Sequence, residues 1–402
     1  MKEDNMGIAI YALTSELHNE QAVSASTKEF LGSLGIDFLF KGSDYSDYGS
    51  HALDLIYVRT GGTEGIFQKL LPTLREKSSR PFFLLTSGKS NSLAASMEIL
   101  SFLRQHGFRG EIIHGSPEYI SRRIALLRGV GEARKRLEGC RLGVIGKPSD
   151  WLISSTADRQ KISDLLGVEL VDIPMQELLD VMAQTPDEEV AETVSAPEIR
   201  KALPVAGQIY RALKTIVEHH RLEGLTIRCF DLLTSVHNTG CLALARLNSE
   251  GIVAGCEGDV PAMLSMKIAQ SLTGLPGFQA NPASIDPETG EIVFAHCTIP
   301  FCMVERYEYD THFESGIGVG IRGYMKEGPV TVFKVSGDLS RCFVEEGLLL
   351  RNEAKPNLCR TQQVIRLNDS SRMTYFLTDP IGNHHIILPG HYREALEELV
   401  RF

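Results

Sequence analysis

The chain has no uninterrupted apolar run approaching the roughly 20 residues that a membrane-spanning helix requires, so the sequence excludes that role. It also lacks a basic block. Its 41 Lys and Arg face 51 Asp and Glu, leaving a net charge of −10. Electrostatic capture of nucleic acid or an anionic membrane is therefore disfavoured, and a small neutral ligand is the easier partner. The eight cysteines, at positions 140, 229, 241, 256, 297, 302, 342 and 359, form no CxxC pair. Neither a zinc-finger spacing nor a redox dithiol is present, and no charged-then-apolar leader opens the chain, so reduced thiols in a cytoplasm are expected. No GxSxG elbow, kinase signature or EF-hand occurs. The Gly-containing segments 60–63 and 146–149 follow strand-like runs but fit no phosphate-binding pattern, and read as backbone turns. No internal repeat or low-complexity tract is visible.

What is present is a chain of 402 residues, 43% hydrophobic and 23% charged, more than one ordinary core uses, so two or three domains are expected. In the first third, apolar runs at 8–13, 54–59, 82–86 and 111–114 alternate with helix-length stretches such as 66–74 and 93–106. This βαβ rhythm implies a parallel sheet covered on both faces. A fresh strand at 141–146 opens a second unit of the same rhythm, with 185–192 as a loop or weak helix, a long helix over 197–220, a strand at 225–229 and helices at 239–247 and 260–272. After Pro300 short strand-like segments at 316–324, 329–336, 341–350, 363–367 and 373–378 predict an antiparallel sheet or barrel, and 391–402 returns to a helical pattern that packs on an earlier domain. The expected architecture is α/β: two Rossmann- or flavodoxin-like parallel-sheet domains, 1–138 and 139–300, followed by a small antiparallel β-barrel-like domain, 301–402, that carries a terminal His segment.

Three clusters could carry chemistry. Glu257 ends an apolar run and is followed at i+2 by Asp259. Asp259 has a ready structural role as N-cap of the helix beginning at Val260. Glu257 has none, and a carboxylate at the end of a buried strand must be solvated, paired or bound to a cation. His296 ends a second apolar run, where a hydrogen-bonded core imidazole is the commoner role; beside Glu257 it would suit Mn²⁺, Co²⁺ or Zn²⁺. Near the end lie Asn383, His384, His385, Gly390 and His391. Adjacent histidines on an extended segment face opposite ways, so one of His384 and His385 reaches a given ion. His312 and Glu314 could line a polar pocket or close a hydrogen-bonded loop.

The blocks Cys229-Phe230-Asp231, Asn238-Thr239-Gly240-Cys241-Leu242-Ala243, Leu247-Asn248-Ser249-Glu250-Gly251, Cys256-Glu257-Gly258-Asp259 and Leu272-Thr273-Gly274-Leu275-Pro276 resemble, in this order, the L-fucose isomerase family. The likeness runs from about residue 225 to the end and is weaker before it. It implies an aldose-ketose isomerase working through an enediol on a small sugar, with a divalent metal, usually Mn²⁺, and a homo-oligomeric assembly. Glu257 matches the family's metal-binding Glu and proton carrier, and His384 its late His ligand. His296 resembles in position an additional His ligand of the related L-arabinose isomerases, and is expected as a ligand or a substrate contact. His312 and Asp259 are further expected substrate contacts. At the position where the family carries a second, catalytic and metal-binding Asp, this chain has Asn281. An amide oxygen can ligate a metal but cannot take a proton as a carboxylate does. Asp259, Asp286 or Glu314 could replace the missing group. A sugar-binding homologue without catalysis, or an isomerase of a modified sugar such as a sulfonated or deoxy hexose, are the alternatives this departure opens.

Overall fold

Six consecutive buried residues, Ile8–Leu13, make β1, and another six, Leu53–Val58, make β3 beside it. Runs apolar on both faces suit strands in the middle of a parallel sheet, where helices cover each side. A computed structural model describes residues 7–16, 18–186 and 196–401 of the chain. With β2 Leu39–Gly42, β4 Phe82–Leu85 and β5 Gly110–Ile113, the first sheet has the order β2-β1-β3-β4-β5 and is parallel throughout. Helices α1 Glu20–Ser33, α2 Glu64–Lys77, α3 Ser92–Gln105 and α4 Pro117–Leu137 connect or follow these strands. Asn19 caps α1 by accepting from the Ala22 amide.

The chain divides into two compact units, one reaching Lys135 and one spanning Arg136–Val400. The second unit opens with a smaller parallel sheet, β7-β6-β8-β9, built from β6 Arg141–Ile145, β7 Glu169–Ile173, β8 Gly224–Ile227 and β9 Val253–Gly255. Its helices are α5 Arg159–Leu166, α6 Met175–Gln184, α7 Pro197–His220, α8 Asp231–Ser235, α9 Cys241–Ser249 and α10 Val260–Thr273. Of the stretch 185–192 expected as loop or weak helix, residues 187–192 lie outside the described residues.

The same unit holds a closed antiparallel barrel of order β10-β11-β16-β15-β14-β17, so the expected fold class is the one observed. Its strands are β10 Phe278–Asp286, β11 Glu291–His296, β14 Gly328–Val335, β15 Cys342–Glu353, β16 Thr361–Leu367 and β17 His385–Pro389. Two of them precede residue 301, and the segment 373–378, expected as a strand, is instead the short helix α11 Thr374–Thr378. Apolar residues without turn-residue breaks read alike as strand or helix over six positions. β12 Arg306–Asp310 and β13 Gly320–Tyr324 pair as a separate ribbon, and α12 Arg393–Arg401 ends the chain. Phe278, Phe294 and Phe343 of the barrel strands form one buried apolar cluster with Ile199 and Leu203 of α7 and Leu242 of α9. Barrel and second sheet therefore share helices, and β9, β11 and β17 end near one another. No helix among the described residues is long and apolar enough to cross a membrane.

Candidate metal centre

Glu257 lies just beyond β9, where the chain must turn from strand to helix within four residues. The turn is left-handed at both Glu257 (φ 64°) and Gly258 (φ 71°). Such a conformation is costly for a residue with a side chain and concentrates at functional sites. Gly258 is required there, because a Cβ would stand 2.6 Å from the Lys147 carbonyl oxygen. Backbone bonds from Ser149 N to Glu257 O and from Gly258 N to Ile227 O, each 2.9 Å, tie the turn to the neighbouring loops. Asp259 then caps α10, accepting from the Ala262 amide at 2.8 Å.

The other two donors come from the barrel. His296, the last residue of β11, contacts the Thr298 hydroxyl through Nδ1 at 3.1 Å and turns Nε2 toward Glu257 Oε1 at 3.6 Å. His384, just before β17, contacts Asp259 Oδ2 through Nδ1 at 2.8 Å and brings Nε2 to 3.5 Å from the same Oε1. A carboxylate that accepts at Nδ1–H leaves the opposite ring nitrogen unprotonated in the neutral imidazole, and a hydroxyl can do the same for His296. Two nitrogen lone pairs and a carboxylate oxygen then converge with no proton among them. Such a set is repulsive unless a cation or an extra proton sits between. All the donor atoms lie within 4.8 Å of one another, and His384 Nε2 is buried without a hydrogen-bond partner. Imidazole nitrogens with a carboxylate oxygen form a donor set for a first-row divalent ion, so the residues fit one.

Without a cation the proton takes its place. Burial opposes charge on His384, but the Asp259 and Glu257 carboxylates outweigh it and its pKa is pushed up to about 9. Burial likewise opposes ionisation of Glu257, yet the His296 and His384 imidazoles hold its carboxyl well below the usual carboxylate range. Asp259, also disfavoured as an anion by burial, is kept ionised by Lys334 and His384.

Glu257 opens onto a cavity of about 550 Å³ lined also by Trp151, Asn281, Pro282, Glu314, Phe376, Pro380, Gly382 and Asn383. Trp151 donates its indole N–H to Glu257 Oε2 at 2.6 Å and packs edge-on against Phe230. The expected site residues thus separate into two groups. Glu257, His296 and His384 meet, and Asn281 lines the same cavity with its Oδ1 buried and without a hydrogen-bond partner. Asp259, expected to touch substrate, is not among the cavity-lining residues: it is fully buried, and its carboxylate is engaged by Ala262 N, His384 and Lys334. His312 is not among the cavity-lining residues either; it bonds Ser315 Oγ at 3.0 Å and packs against Phe230. Burial, aided by His296, lowers its pKa to about 4, which keeps the ring neutral. His385 faces away from the site, toward Tyr375 Oη at 3.0 Å, and burial keeps it neutral with a pKa of about 3.

The curated proteins that this chain resembles have names that bear on this geometry. A sulfoquinovose isomerase of a Clostridium species is 28% identical over 257 residues, covering 60% of this chain and 56% of that protein. A sulfoquinovose isomerase of Priestia megaterium is 25% identical over 329 residues, 77% of this chain and 74% of its own length. One from Alkalicoccus urumqiensis is 24% identical over 266 residues, 61% of this chain and 59% of its own. The chain therefore spans little more than half of the Clostridium protein it matches. No family model matches it. At these identities the chain is similar to sugar isomerases in general, and the resemblance drawn from the residue blocks holds at that coarser level, not at that of L-fucose isomerase.

Two residues of the site escaped the sequence reading. Lys334 lies fully buried in β14 with Nζ 3.7 Å from Asp259 Oδ2 and no hydrogen-bond partner among the described residues. Its signal was a lone charge inside Val330-Thr331-Val332-Phe333-Lys334-Val335. Trp151 sits on a loop 106 positions from Glu257, and nothing local to it marks the contact.

Proposed function

We propose that the protein is a metal-dependent aldose-ketose isomerase acting on a modified hexose of the sulfonated kind named in its relatives. The observation that carries the isomerase reading is the convergence of Glu257, His296 and His384 on one point at the wall of a cavity large enough for a monosaccharide. Isomerisation removes a weakly acidic proton beside a carbonyl, and a divalent ion, Mn²⁺ in this reading, supplies electrostatic stabilisation of the charge that develops on the two oxygens. Glu257, His296 and His384 would hold that ion, with the Asn281 amide oxygen as a weaker fourth donor.

The chain's own residues do the rest. Glu257 carries the proton between C2 and C1, and each of its oxygens keeps a lone pair beyond its contact to imidazole or indole. Trp151 fixes the carboxylate through its N–H and, with Phe376, offers the apolar faces on which a sugar ring stacks. Asp259 and Thr298 orient the two imidazoles. Glu257→Gln should lower turnover at least a thousandfold while leaving the thermal melt within a few degrees of the parent. Retained ketose formation in that variant would sink the assignment.

A neutral aldose is the second reading, and one observation favours it. The charged residues lining the cavity are Glu257 and Glu314, with no Lys or Arg among the lining residues. A sulfonate entering it would have to be met by neutral donors such as the Asn383 amide. Comparing kcat/KM for sulfoquinovose with that for the matching neutral hexoses separates the two.

A further inference from the structure

Converting an aldose to a ketose moves two protons. One leaves C2 for C1, and one leaves the hydroxyl oxygen O2 for the carbonyl oxygen O1. Glu257 serves the carbon-bound proton in the isomerase reading, and Asn281, which lines the same cavity, carries an amide that cannot take up the oxygen-bound one. Three carboxylates are near enough in the sequence to take that place, and the structure separates them.

Asp259 is fully buried, and its carboxylate is engaged by the Ala262 amide of α10, His384 and Lys334. Asp286 lies at the far end of β10, five residues beyond Asn281, where it accepts from the Glu288 and Thr289 amides of the hairpin turn. At about 3.3 Å per residue that puts it roughly 16 Å along the strand from Asn281. Glu314 lines the same cavity as Glu257 and Asn281.

Its loop, between β12 and β13, is built to present it. His312 N and Gly316 N close a turn onto Ile317 O and His312 O, at 3.1 and 2.9 Å. The Ser315 hydroxyl accepts from Ile317 N and meets His312 Nδ1. Just before Glu314 in the chain, His312 is held against Phe230, and Phe313 lies under the Arg360 guanidinium. The residues flanking Glu314 are thus anchored, while its own side chain is exposed and makes no hydrogen bond or ion pair among the described residues. A carboxylate held on a fixed turn, without a hydrogen bond or ion pair among the described residues, in the same cavity as the metal-site Glu has the placement of an acid/base group.

We infer that Glu314 supplies the second proton-transfer group of this site, replacing the carboxylate absent at Asn281. It takes the proton from O2–H as the C2–H bond breaks toward Glu257. It then returns a proton to O1 as Glu257 protonates C1. One C–H and one O–H bond break, one of each forms, and both carboxylates end as they began, with no electron gained or lost. This inference rests on the isomerase reading.

The test uses the full chain loaded with Mn²⁺ and an aldose that the parent protein converts; a parent that converts none removes the isomerase reading itself and is seen before any variant is made. Glu314→Gln should lower kcat at least a hundredfold, with KM within threefold and the calorimetric Mn²⁺ affinity and melting temperature unchanged. Recovery of tenfold or more in Glu314→Gln with Asn281→Asp added would support the exchange of roles. A Glu314→Gln kcat within threefold of the parent overturns the inference.

Discussion

Gly258 and Glu257 show how much one turn decides. The left-handed pair aims the Glu257 carboxylate back across the end of β9, while the same turn delivers Asp259 to the start of α10. Gly258→Ala combines a disfavoured φ with a clash against the Lys147 carbonyl. Because that carbonyl is backbone, it has little freedom to retreat. A loss of about 1–3 kcal/mol in denaturant melts is expected, together with weakened Mn²⁺ binding in calorimetry as the Glu257 carboxylate is displaced. Unchanged stability would mean that the turn relaxes freely.

At the scale of elements, the site exists because a helix start, two strand ends and a loop converge. The helix start gives Asp259, whose carboxylate meets His384 Nδ1 and holds that ring. Asp259→Asn keeps the shape and a cap acceptor while removing the charge, and leaves the buried Lys334 ammonium facing an amide. Loss of such an orienting partner should weaken Mn²⁺ binding about 10- to 100-fold, read by calorimetry; an unaltered affinity would show that His384 is set by packing alone. These elements were unequally legible in the sequence. The buried runs of β1 and β3 and the N-cap at Asp259 follow from local patterning, so they were readable. The meeting of His296 and His384 is a matter of barrel closure, since β11 and β17 are brought to either side of their shared neighbour β10. Closure is a long-range pairing that no periodicity encodes. The depth of Asp259 was illegible for the same reason: a carboxylate's burial depends on what covers it, here Lys334 from β14.

For the whole molecule, the donor set, cavity and flanking aromatics all come from the second unit, Arg136–Val400. An ion that binds the folded site and not the unfolded chain stabilises by mass action, about 2.7 kcal/mol at a hundred times its dissociation constant. Mn²⁺ should therefore raise the melting temperature by a few degrees, chelation should reverse the rise, and His384→Ala should abolish it. A melt indifferent to Mn²⁺ would argue against the site. The acidic balance of the chain, −10 overall, adds a general attraction for cations, so the His384 variant is the control that separates a built site from a diffuse one. The most direct test of the central claim is to incubate the Mn²⁺-loaded protein in D₂O with sulfoquinovose and a panel of neutral aldoses, following loss of the C2 proton and appearance of ketose by NMR. Exchange at C2 accompanied by ketose, and absent in Glu257→Gln, is the expected result; no exchange with any of these sugars, or exchange undiminished in Glu257→Gln, would contradict it.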